Sequence, residues 1–195
     1  MPVAFKIAGY LSNAGFPFAV INRNLIGNET TGFLRDNLVY PIELWELMEI
    51  QQPIFPEYLL ENDTEIQKLK STGEINEFTD LVNHHLMGHV KIKNNLFNEL
   101  SAIEGFDLFC LRYNGEMVST LLSFSAFGIA GLYFIATKPE HRGKGYAGNL
   151  IRYVLNFLFN QGKEKVVLQS DRKAVPLYLR AGFIPVGQMV VLRKI

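Results

Sequence analysis

Between Thr137 and Ala147 the chain reads Thr137-Lys138-Pro139-Glu140-His141-Arg142-Gly143-Lys144-Gly145-Tyr146-Ala147. Cations and glycines alternate from Arg142 to Gly145, just before Leu150, Ile151, Val154, Leu155 and Leu158 recur at helical spacing. A strand, a glycine loop and a helix start leave backbone N–H groups unpaired at the positive end of the helix dipole. Such a place suits a phosphate or pyrophosphate. Gly143 and Gly145 let the backbone come close to the anion, and Arg142 and Lys144 add charge. The nucleotide motif Gly-x-x-x-x-Gly-Lys-Ser/Thr is absent. Gly143, Gly145 and Gly148 match Gly-x-Gly-x-x-Gly, but that motif belongs after the first strand of a parallel sheet. Here the loop follows an antiparallel meander late in the chain. The alternative is a glycine-rich turn that only starts a helix.

Other groups capable of chemistry are scattered. In His84-His85-x-x-x-His89, His85 and His89 share a helical face. The run lacks the Glu of His-Glu-x-x-His and an evident third ligand, so a solvated face is expected and no metal. His141 lies within the glycine loop, near a bound phosphate rather than placed as a base. Glu116, on a strand of the meander, is a candidate base, and so is water. Cys110 is the one cysteine, which excludes a disulfide framework and a multi-cysteine zinc site. Its mid-strand position reads as a buried small hydrophobe. A reducing compartment, the cytoplasm, is the expectation.

The elements that must position these residues come from a chain of 195 residues and 22.2 kDa, 48% hydrophobic and 19% charged. That mixture can bury a core, which excludes wholesale disorder. Lys+Arg and Asp+Glu both number 19, so the net charge is zero and no broad nucleic-acid footprint is expected. The N-terminus carries no basic region followed by an apolar run of signal-peptide length. Val118–Thr137 is free of charge over a membrane-spanning length, yet Ser119, Thr120, Ser123, Ser125, Gly128 and Gly131 interrupt it. It reads as two buried strands joined near Ala126-Phe127-Gly128, with a hairpin at Asn114-Gly115 upstream; no membrane span is expected.

Along the chain, residues 1–60 give one strand signal, Phe16–Ile21, and no chemistry. Ser71-Thr72-Gly73-Glu74 forms a capping box before Ile75, Phe78, Val82, Leu86 and Val90 at helical spacing. A second helix is expected over 94–103. Strands follow at 108–113, 117–125 and 129–137, then a helix at 147–161, a strand at 165–169, a helix at 174–180 and a strand at 184–193. The order of this half is β-β-β-α-β-α-β.

Arg142-x-x-Gly145-x-Ala147 resembles the Arg/Gln-x-x-Gly-x-Gly/Ala acyl-CoA signature of the GNAT acetyltransferase superfamily. Phe134-Ile135-Ala136-Thr137 looks like the end of that family's fourth strand. Leu168-Gln169-Ser170-Asp171, followed by Leu177-Tyr178-Leu179-Arg180-Ala181-Gly182-Phe183, is similar to its fifth strand and its Leu-Tyr-x-x-x-Gly-Phe signature. The element order is the family's as well, and the resemblance covers about residues 108–195.

The resemblance implies an α/β fold: a mixed, mostly antiparallel sheet flanked by helices, with an N-terminal α/β or mainly helical region. Residues 101–195 would be the acetyl-CoA-binding catalytic domain, and residues 1–100 a divergent half-domain shaping the acceptor site. It implies a β-bulge in the fourth strand, where Phe134, Ile135, Ala136 and Thr137 hold the pantetheine arm. Backbone groups of Arg142, Gly143, Lys144, Gly145, Tyr146 and Ala147 would hold the pyrophosphate, with Asp171 a further contact. Asp171 departs from the Asn or Ser of many relatives and brings a negative charge near phosphates. Tyr178 falls where the family places a tyrosine general acid; the other reading is a core tyrosine on a short helix. The expected function is acetyl transfer from acetyl-CoA to a primary amine of a small molecule. A Lys or N-terminal amine of a protein is the alternative acceptor, and a non-catalytic CoA-binding module the alternative class. The last strand is a candidate for exchange or pairing with another subunit, which would give a homodimer.

Overall fold

The computed structural model describes residues 18–22, 39–51, 63–87, 91–93 and 95–194. The elements run β1 (Phe18–Asn22), β2 (Val39–Ile50), β3 (Thr64–Lys68), α1 (Thr72–His85), α2 (Leu96–Ser101), β4 (Phe106–Tyr113), β5 (Glu116–Ala126) and β6 (Ile129–Thr137). A 3-10 turn at Pro139–His141 follows, then α3 (Tyr146–Asn160), β7 (Lys165–Ser170), α4 (Val175–Arg180) and β8 (Ile184–Lys194). The expected β-β-β-α-β-α-β order is present from β4 to β8. The N-terminal strand begins at Phe18, and Phe16 and Pro17 lie outside the described residues. The expected second helix is shorter, Leu96–Ser101. Val90 lies outside the described residues, and α1 already stops at His85.

The chain forms two compact units. One gathers the described residues up to Glu49 with Gln169–Leu179 and everything from Phe183 onward; the other holds Ile50–Leu168 with Arg180–Gly182. In the first unit β8 is paired antiparallel with both β1 and β2, with Val20 and Leu44 opposite Val191 and Val190 respectively. The last strand is therefore an interior strand along these registers. An apolar run such as Met189-Val190-Val191-Leu192 suits such a position, because ladder pairing on both sides satisfies its backbone.

In the second unit β3, β4, β5 and β6 pair antiparallel in that order, and β7 joins β6 in parallel. Helix α3 makes the crossover that a parallel pair requires. The β4–β5 hairpin turns at Asn114-Gly115, with φ of +51° and +80°, the left-handed pair of a primed turn. The Val118–Thr137 run is strand β5, a turn and strand β6, as expected. Among the described residues no helix is long and apolar enough to cross a membrane.

Helix α1 begins at its capping box: Ser71 Oγ accepts from Glu74 N–H, and the Glu74 carboxylate accepts from Ser71 N–H at 3.0 Å. These bonds hold Glu74 below the usual carboxylate range. The apolar stripe Ile75, Phe78, Leu81 and Val82, with Phe97 of α2, covers Leu108, Cys110, Met117, Leu122 and Ala136 on one sheet face. Alternate residues point the other way, and α3 buries Leu150, Ile151, Val154, Leu155 and Leu158 there. Phe109 meets Phe157 of α3 edge-on at 5.1 Å. Each such fully buried side chain contributes roughly 1.5–3 kcal/mol of transfer free energy. Both faces are thus clamped, and strand β6 and the loop after it rest on a rigid base.

Candidate functional site

Strand β6 is irregular where the sequence expected a bulge. Leu122 opposes Tyr133 and Thr120 opposes Ala136, so β6 carries one residue more than β5 between those pairs. The extra residue is accommodated at Phe134, whose φ is +50°. That conformation is uncommon for a bulky side chain and marks a locally strained backbone. Two contacts hold it: Thr120 Oγ1 donates to Phe134 O at 3.1 Å, and the Phe134 ring meets Phe97 edge-on at 5.0 Å.

The other edge of β6 opens just before the bulge. Its ladder to β7 consists of Ile129–Lys165, Ala130–Val166 and Gly131–Val167, and it stops there. From Leu132 to Thr137 the β6 backbone has no partner on β7. The result is a fork whose open arm carries Phe134, Ile135, Ala136 and Thr137. Ile135 and Thr137 are half-buried, and Ala136 is buried.

At the end of that arm the chain enters the glycine loop. Lys138 N–H donates to Val118 O at 3.0 Å, and its ammonium pairs with the Glu116 carboxylate. This pairing holds Glu116 below the usual carboxylate range, which makes it a poor base. His141 Nε2 lies 3.9 Å from the other Glu116 oxygen. The His141 ring lies 6.0 Å from Tyr146, and Tyr113 stacks on Tyr146 at 5.7 Å. Arg142 Nε donates to Thr137 O at 3.0 Å, which closes the loop on its own root.

Gly143 and Gly145 have φ of +77° and +84°, which only glycine adopts freely. Open space surrounds the position of a Cβ at both. Gly145 is the N-cap of α3, and no side chain caps the helix. The first intrahelical bond here is Asn149 N–H to Gly145 O at 3.0 Å, so the amides of Tyr146, Ala147 and Gly148 precede the ladder. Arg142, Gly143, Lys144 and Gly145 are exposed beside them. An uncapped helix start, open glycines and two cations form an anion cradle at the mouth of the fork. The second unit thus brings together the eleven-residue loop and the strand end that the sequence singled out.

Asp171 and Tyr178 lie in the other unit. Asp171 Oδ1 accepts from the N–H groups of Lys173 and Ala174 at 2.8 and 2.9 Å and so orders the start of α4. Tyr178 is 7% exposed and meets Phe183 edge-on at 6.1 Å. Burial, with the Asp171 charge adding to it, pushes its phenol up to about 12.

The remaining candidates fall elsewhere. Cys110 is fully buried, and its thiol is pushed up to about 12. His84 and His85 line a cleft of about 260 Å³ with Glu77, Asp80, Leu81, Met117 and Lys138. His85 is shifted down by burial, and His89 lies outside the described residues. Sequence reasoning passed over Thr120 and the pair Gly131–Tyr133. A glycine inside a strand signals a bulge or a close approach, and Gly131 carried that signal.

The model of the acetyltransferase (GNAT) family matches residues 44–183. N-acetyltransferase 8B of Rattus norvegicus is 43% identical over 60 residues, 29% of this chain and 27% of that protein. The uncharacterized N-acetyltransferase YobR of Bacillus subtilis (strain 168) is 34% identical over 84 residues, 41% of this chain and 34% of its own length. The matches thus span about a third or less of these curated relatives. A GCN5-related N-acetyltransferase from Kribbella flavida has the same fold, with a TM-score of 0.71 at 15% identity over 98% of this chain and 76% of that one.

Proposed function

We propose, from the premise that this chain belongs to the GNAT acetyltransferase family, that it transfers an acetyl group from acetyl-CoA to a primary amine of a small molecule. One observation carries the reading: the open arm of β6 leads, through the 3-10 turn at Pro139–His141 and the glycine loop, to an uncapped helix N-terminus flanked by open glycines. A long, narrow substrate with a pyrophosphate at one end and an amide-rich arm fits that shape.

Phe134, Ile135, Ala136 and Thr137 would offer backbone donors and acceptors to the pantetheine arm. The amides from Gly143 to Ala147, with the charges of Arg142 and Lys144, would hold the pyrophosphate. Asp171 would contribute through its backbone, because the amides of Lys173 and Ala174 already occupy its carboxylate. Residues 1–100 would shape the acceptor site, and residues 101–195 would bind the acyl donor. The single buried cysteine fits work in a reducing cytoplasm.

The transfer forms a C–N bond between the amine and the acyl carbon and breaks the C–S bond. A freed β6 amide hydrogen-bonds the acyl oxygen as negative charge builds on it. Tyr178 keeps its proton at every pH well below about 12 and gives it up as the thiolate leaves. The amine loses its proton to solvent, since Glu116 is tied to Lys138. A net charge of zero and the aromatic residues of the N-terminal region favour a small acceptor over a charged macromolecule.

The test is calorimetric titration with acetyl-CoA, with desulfo-CoA and NAD as comparisons, followed by thiol release on a panel of amines. Micromolar acetyl-CoA binding and turnover on small amines are expected. Turnover on peptide Lys or N-terminal amines alone would move the acceptor to proteins. Binding without turnover on any amine would make the chain a CoA-binding module, and no binding of a CoA species by folded protein would overturn the reading.

A further inference from the structure

The fork in β6 and β7 has a root as well as a mouth, and a side chain lies over the sheet face at that root. A Cβ built on Gly131 would lie 2.4 Å from the Tyr133 hydroxyl oxygen and 2.6 and 2.7 Å from two ring carbons. The two residues are two apart on one strand, so they share a sheet face. Tyr133 is therefore folded back along its own strand and occupies the space a side chain at 131 would take. Gly131 is also the last residue of β6 paired with β7. The tyrosine end thus lies over the sheet face beside the point where the two strands part.

Further observations fix what can pass there. The phosphate cradle lies at the Thr137 end of the open arm, so a donor anchored by its pyrophosphate runs along β6 toward Gly131 and brings its acyl group to the root. Straight ahead, the paired backbones of Ile129–Gly131 and Lys165–Val167 close the way. One face of the sheet is covered by α3, with Leu150, Ile151, Val154, Leu155 and Leu158 buried. On the other face Tyr133 packs, half-buried, against the cluster that includes Phe97, Leu108 and Leu122. Its hydroxyl has no hydrogen-bond partner among the described residues.

We propose that Tyr133 is the specificity-determining residue for the acyl chain: its ring, folded over Gly131, ends the channel after a short acyl group and excludes long-chain acyl-CoA. The proposal rests on the acetyl-CoA reading above. Pocket walls that exclude even one methylene group change affinity by about tenfold or more, so a chain of several methylenes is strongly discriminated.

The experiment is calorimetric titration of the intact chain with acetyl-CoA, butanoyl-CoA and octanoyl-CoA. The unsubstituted protein is expected to bind acetyl-CoA at least tenfold more tightly than octanoyl-CoA. Tyr133→Ala is expected to narrow that ratio at least tenfold, while Tyr133→Phe, which keeps the ring, holds it. Tyr133→Leu retains apolar packing and shifts the ratio part of the way, which keeps the test decisive where the alanine variant fails to fold. Equal binding of both donors by the unsubstituted protein would overturn the proposal. So would an unchanged ratio in a folded Tyr133→Ala or Tyr133→Leu variant that still binds acetyl-CoA. Absence of acetyl-CoA binding in the unsubstituted protein is a different failure, since it removes the acetyltransferase reading itself.

Discussion

Thr120 Oγ1 donates a 3.1 Å hydrogen bond to Phe134 O, the carbonyl of the one residue in β6 with positive φ. Thr120 is fully buried on the neighbouring strand, so its hydroxyl anchors the bulge from inside the sheet. Thr120→Val keeps the shape and removes the donor. A part-buried carbonyl deprived of its partner costs up to about 1–3 kcal/mol. The variant is expected to unfold at lower denaturant concentration by that amount and to bind acetyl-CoA more weakly, read by urea titration and calorimetry.

The glycine loop makes the sharper test of binding. Gly143→Glu with Gly145→Glu forces side chains into left-handed positions and puts two carboxylates beside the uncapped amides of α3. Acetyl-CoA affinity is expected to fall more than a hundredfold. Circular dichroism is expected to show the helix and strand content retained, because both positions face open space.

Tyr178 gives a kinetic and a thermodynamic expectation. Tyr178→Phe is expected to leave acetyl-CoA binding intact and to cut turnover well beyond tenfold. The phenol pKa is raised from about 10 in an unfolded chain to about 12 in the folded one. Between those values the folded state holds a proton that the unfolded state has lost, so stability falls as pH rises from about 10 toward 12. The loss amounts to about 2–3 kcal/mol at the end of that window. Equilibrium unfolding at pH 8 and pH 11 is expected to show a steeper loss for the unsubstituted protein than for Tyr178→Phe.

Cys110 is expected to be inert in the folded protein. It is fully buried, and desolvation pushes its thiol up to about 12, so almost no thiolate forms at neutral pH. Alkylation by a maleimide is expected to be slow in buffer and fast in denaturant, its rate following the unfolded fraction. Fast labelling of folded protein would place Cys110 at an accessible surface.

Much of this arrangement was legible in the chain itself. The capping box of Ser71 and Glu74, the Asn114-Gly115 hairpin, the strand at Ile129–Thr137 and the helix after Gly145 are local signals. Each depends on residues within a turn or two of one another, so the sequence alone determined them. The loop from Arg142 to Ala147 is local in the same sense, and that is why its anion-binding character could be read without a fold. Tertiary structure decided what depends on register between distant strands. The place where β6 leaves β7, the partner that Thr120 provides for Phe134 and the two neighbours of β8 follow from pairings between residues far apart in the chain. A side-chain pattern of period two shows which face a residue takes, but not which strand lies beside it or where the pairing ends. The ring of Tyr133 over Gly131 belongs to the second kind. A glycine inside a strand can signal a close approach, but in the sequence Gly131 reads only as a break in an apolar run, and the folded strand shows what approaches it.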